Sequence, residues 1–78
     1  MSAPLLIGPG VVARTIRVPK DQVAWVRWVV EAHDGLANLH FARGGRITLV
    51  TPESQADALD EVIADLAEEI PLERLSPT

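Results

Sequence analysis

Apolar side chains recur at two spacings along this chain, and the switches between them mark its elements. From Val11 to Val18 the β-branched residues Val11, Val12, Thr15, Ile16 and Val18 crowd together. Ile16 and Val18 fall on one face and Thr15 and Arg17 on the other, which predicts a strand. Arg14 interrupts the inward alternation, so the strand is expected to start or bulge near it. Pro19-Lys20-Asp21 opens a helix that runs to about His33, with Asp21 as its cap or Pro19 in its first turn. Asp34-Gly35 closes it, Gly35 being suited to the left-handed position past a helix end. Leu36–Ala42 reads as a second strand, Leu39 and Phe41 pointing one way, Asn38 and His40 the other. Arg43-Gly44-Gly45 is a turn in which the glycines are free to take positive φ. Arg46–Val50 returns as a third strand with Ile47 and Leu49 inward. Thr51-Pro52-Glu53 reads as a helix start: Thr51 the cap, Pro52 the first helical residue, Glu53 on the positive end of the dipole. Ala56, Leu59, Val62, Ile63, Leu66 and Ile70 then recur at helical spacing until Pro71. Leu72–Leu75 has room for a short edge strand.

The order is β-α-β-β-α, with a last β optional. It predicts an α+β two-layer sandwich on the ferredoxin-like plan: an antiparallel sheet with two helices on one face and the other face open. Residues 11–75 form the single domain, between tails at 1–10 and 76–78. The composition, 47% hydrophobic and 23% charged, is that of a folded chain. A domain of 78 residues buries only about 60% of its unfolded surface, and such a core rarely supplies more than ~3–5 kcal/mol. There is no cysteine, so disulfides, thiolate metal sites and cysteine nucleophiles drop out. Oligomerisation is the remaining common source of stability.

The first helix carries more apolar surface than one sheet can cover. With residues at 100° steps, Val23, Val26, Val29 and Val30 form one side, and Trp25, Trp28 and Ala32 extend it. The apolar arc spans roughly 220°, whereas packing on one sheet needs somewhat more than ~100°. Two readings account for the surplus. Residues 1–10 could cover the tryptophan flank. Alternatively, Trp25, Trp28, Val29 and Ala32 form a contact surface, since tryptophan is enriched at binding hot spots. A symmetric homodimer is its simplest form, another protein partner the next.

Charge is segregated. Residues 1–50 carry six cations against three carboxylates, net +3, while residues 51–78 carry one arginine against eight carboxylates, net −7. Asp57, Glu61, Asp65 and Glu69 stand four apart, a ladder that keeps the protein soluble or docks a basic partner. The total of −4 makes nucleic acid a poor partner. The open sheet face is expected to show Thr15, Arg17, Asn38, His40, Arg46 and Thr48, a polar and mildly basic surface. The Leu5-Leu6-Ile7 run lacks a basic flank and is broken by Gly8-Pro9-Gly10. No signal peptide or membrane span is therefore expected, and a cytoplasmic location follows.

Chemistry is sparse. His33, His40 and Asp34 do not form a known metal-ligand spacing, and a metal needs three or four converging ligands. His33 at a helix end is explained by the dipole. Ser2, Ser54 and Ser76 belong to no nucleophile–histidine–carboxylate set. Gly8-Pro9-Gly10 lacks the Lys-Ser/Thr of a phosphate loop. No metal, cofactor or catalytic residue is expected, and the chain reads as no enzyme. The paired cysteines of metallochaperones, the arginine-ended glycine loop of acylphosphatases and the stacking aromatics of RNA-recognition domains are all missing from their places on this fold plan.

The stretch from Thr15 to about Glu69 nevertheless carries a distinctive pattern. It joins the Ile16-x-Val18 strand, the run Val29-Val30-Glu31-Ala32-His33-Asp34-Gly35-Leu36-Ala37, and the hairpin and helix that follow. It resembles a family of small bacterial domains known as domain of unknown function 4911. Glu31 to Ala37 is the specific part, where members often carry an aromatic at the place of His33. Members tend to have a longer polar hairpin tip than Arg43-Gly44-Gly45. The resemblance implies a compact α/β domain and no established activity, and it carries over no catalytic residue. By analogy of fold with amino-acid-binding regulatory domains, a small-ligand sensor is the alternative to a binding module. Its site would lie at a dimer interface near the first helix, on Glu31, His33 and Asp34.

Overall fold

The computed structural model describes residues 10–75. Four strands make one antiparallel sheet in the order β2-β3-β1-β4: β1 (Val11–Arg17), β2 (Asn38–Ala42), β3 (Arg46–Pro52) and β4 (Glu73–Arg74). Two helices, α1 (Val23–Ala32) and α2 (Ala56–Glu69), complete the chain order β1-α1-β2-β3-α2-β4. This is the full ferredoxin-like order, with the optional last strand present. Val26 and Val30 of α1 and Leu59, Val62, Ile63 and Leu66 of α2 share one core with Ile16, Ile47 and Leu49. Both helices therefore cover the same face of the sheet.

The strand register decides which side chains share that face. Ile16 opposes Ile47 and Arg14 opposes Leu49 across β1 and β3, while Leu39 opposes Leu49 and Phe41 opposes Ile47 across β2 and β3. β1 pairs without interruption from Val11 to Arg17, so the bulge expected near Arg14 is absent. Arg14 points into the helix layer because a carboxylate meets it there: its Nε donates to Asp60 of α2 at 2.9 Å. Phe41 faces the same layer but stays 46% exposed at the sheet edge, with the Arg27 guanidinium 5.9 Å from its ring centre.

The helix starts depart from expectation. Lys20–Gln22 and Glu53–Gln55 are single 3-10 turns that precede α1 and α2, and no side chain caps either. Pro19 and Pro52, both extended, stand immediately before them. Backbone carbonyls meet first-turn donors in place of a side-chain cap: Pro19 accepts from the Gln22 N–H at 2.8 Å, and Gly10 accepts from the Glu53 N–H at 2.7 Å. Thr51 is thus not a helix cap. It is the penultimate residue of β3, 1% exposed, and its hydroxyl donates to the Leu36 carbonyl at 2.5 Å. Leu36 itself is buried before β2, which begins two residues later than expected.

Open face residues follow from the same register. Ala13, Val50 and Asn38 form one row across β1, β3 and β2; Thr15, Thr48 and His40 the next; Arg17, Arg46 and Ala42 the third. The face is therefore less polar than expected, because Ala13 and Val50 join it.

Candidate functional site

Trp28 points almost directly away from the sheet. Val26 and Val30 are the buried residues of α1, and Trp28 lies between them, about 160–200° from each around the helix. It is 64% exposed. Trp25, one turn earlier, is 40% exposed and stacks on it, with ring centres 5.4 Å apart and planes 23° from parallel. Ala32 is exposed and Val29 half-buried, so the four proposed contact residues recur at i, i+3, i+4 and i+7 and form one stripe. Offset aromatic stacking orders two large rings that water alone would leave mobile. The reading in which the N-terminal tail covers this stripe concerns residues outside the described part of the chain.

The flanks of α1 differ. Toward β2, Arg27 bridges Glu31 at 3.2 Å and the ring of Phe41. Toward α2, Trp25, Val29 and His33 line a cleft with Val62, Asp65, Leu66 and Glu69. The ligand residues suggested by fold analogy are thus split. His33 lines the cleft, Glu31 turns to Arg27 on the other flank, and Asp34 is exposed in the turn before Leu36. Among the described residues no group of three or more His, Asp or Glu side chains could hold a metal ion, and no helix is long and apolar enough to cross a membrane.

Reading the sequence missed the α2 half of the cleft. Asp65 and Glu69 stand one turn apart beside Val62 and Leu66, a pattern visible in the sequence. Only the packing of the helices sets it opposite Trp25.

The motif Glu31 to Ala37 is mainly a junction. His33 ends α1, Gly35 takes φ 74°, the Leu36 N–H returns to the His33 carbonyl at 3.0 Å, and Thr51 holds the Leu36 carbonyl from β3. Sheet order, helix placement and this junction define a class: a small α+β sandwich of ferredoxin-like topology. Within that class the chain belongs to the family described as a domain of unknown function, DUF4911, whose model matches residues 16–70. No curated protein and no solved structure matches it.

Proposed function

We propose that this domain is a non-enzymatic protein-binding module that self-associates through the outer face of α1. The observation that carries the reading is Trp28, a large aromatic side chain turned away from the core and braced by Trp25. A tryptophan in water forfeits the transfer free energy that its burial would contribute, of order 1.5–3 kcal/mol for a large apolar side chain. A second copy presenting the same stripe about a twofold axis would bury the outward-facing Trp28 of both copies at once. The small core makes that gain significant for stability.

The test is the molar mass in solution, by size-exclusion chromatography with light scattering at low micromolar concentration. The wild-type chain is expected as a dimer, and Trp28→Asp as a monomer with an unchanged far-ultraviolet circular dichroism spectrum. If Trp25→Asp and Trp28→Asp both keep the wild-type mass and fold, the α1 face is not the contact.

A further inference from the structure

The cleft between α1 and α2 shares Trp25 and Val29 with the self-association stripe, but Trp28 does not line it, and His33, Val62, Asp65, Leu66 and Glu69 lie outside the stripe. Its walls are apolar, with Trp25 and Val29 on one side and Val62 and Leu66 on the other, and Asp65 and Glu69 add carboxylates from α2. Among the described residues the ion pairs are Arg14–Asp60, Arg17–Glu73 and Arg27–Glu31, so neither Asp65 nor Glu69 has a basic partner. α2 also carries Asp57, Asp60, Glu61 and Glu68 and has no lysine or arginine to offset them.

His33 also lines the cleft; the indole, the carboxylates and the aliphatic walls favour one kind of occupant. An indole face attracts a cation. Carboxylates take guanidinium or ammonium through charge-assisted hydrogen bonds. Valine and leucine accept the methylene stem that long basic side chains lay along apolar surface. At about 120 Å³ the cleft has room for one side chain, well short of the ~300–1,000 Å³ typical of small-molecule pockets. The geometry points to the α1–α2 cleft as a docking site for a basic segment of another protein, which inserts one arginine or lysine between Trp25 and the Asp65/Glu69 carboxylates.

The probe is a short fluorescein-labelled peptide of arginine, leucine and glycine, followed by fluorescence anisotropy, with a glutamate-for-arginine twin as control. The wild-type protein is expected to bind the basic peptide and not the acidic twin, with affinity falling as salt rises. Asp65→Asn/Glu69→Gln is expected to weaken binding about tenfold or more, and Trp25→Leu by a similar factor. Asp57→Asn/Glu61→Gln removes the same charge from α2 outside the cleft and is expected to change affinity less than about threefold. Trp28→Ser, which leaves the cleft residues in place, is expected to bind even where it no longer dimerises, so the two readings fail separately. Equal losses in the two α2 pairs would reduce the effect to long-range attraction and overturn the site. Absence of wild-type binding overturns it too. Competition by free arginine as strong as by the peptide would assign the cleft to a small amine. Loss of the dimer in Asp65→Asn/Glu69→Gln would place a second copy there instead.

Discussion

Gly45 is the position where the β2–β3 turn cannot accept a side chain. Its φ is +78°, and a Cβ built on it would lie 1.9 Å from the Val18 carbonyl oxygen. The backbone approaches that closely because the Val18 N–H donates to the Gly45 carbonyl at 3.0 Å, tying the hairpin to the end of β1. Gly44 has a similar φ of +75° but open space around its Cβ position. Gly44→Ala is therefore expected to cost only the left-handed backbone penalty, about 1–2 kcal/mol. Gly45→Ala adds a backbone clash and is expected to cost about 3 kcal/mol or more, most of what so small a core supplies. Urea denaturation followed by circular dichroism measures both, and equal losses would mean that the Val18 contact is dispensable. The glycine pair, and its freedom to take positive φ, were legible in the sequence. Which glycine is indispensable was not, because Val18 lies 27 positions away in the numbering. Arg14 and Thr51 teach the same lesson. Each reads locally as a strand interruption or a helix cap, and each is instead satisfied by a distant partner, Asp60 or the Leu36 carbonyl. Short-range rules assign polar side chains to nearby backbone, whereas a tertiary partner makes the same hydrogen bond from farther along the chain.

At the scale of elements, α2 is stabilised by its buried face and weakened by its outer one. Leu59, Val62, Ile63 and Leu66 are buried, while Asp57, Glu61, Asp65 and Glu69 repel at i,i+4 spacing. Glu61→Lys replaces two repulsions by two attractions on an exposed position. The expected gain is about 0.5–1 kcal/mol, a rise of a few degrees in Tm by calorimetry at low salt that shrinks as salt is added. An unchanged or lower Tm would show that the ladder does not strain the helix. The periodicity of both helices was legible because burial imposes it directly on the sequence. Their first turns were not: the 3-10 geometry after Pro19 and Pro52 is set by where β1 and β3 end, and β3 runs on to Pro52 through the pairing of Val11 with Pro52.

For the whole molecule, self-association makes stability depend on concentration. A dimer that unfolds to separate chains has a Tm that rises with protein concentration. The wild-type Tm is expected to rise across roughly a hundredfold range of concentration and the Trp28→Asp Tm to stay constant. A wild-type Tm independent of concentration would count against a dimer. The candidate surfaces divide at this scale. The Trp25/Trp28 stripe was visible as an apolar excess on one helix. The cleft was not, since it needs two helices laid side by side on one sheet.

Residue spacing alone is enough for the β-α-β-β-α order, the sheet-facing residues Ile16, Ile47 and Leu49, the buried sides of both helices and the tryptophan excess. Each follows from a period that burial or its absence writes into neighbouring positions. The tertiary structure alone decided that β4 pairs with β1, that Arg14 and Thr51 point inward to polar partners, that Gly45 meets Val18, and that Asp65 and Glu69 face Trp25. These depend on contacts between residues far apart in the chain, where no local spacing carries the information.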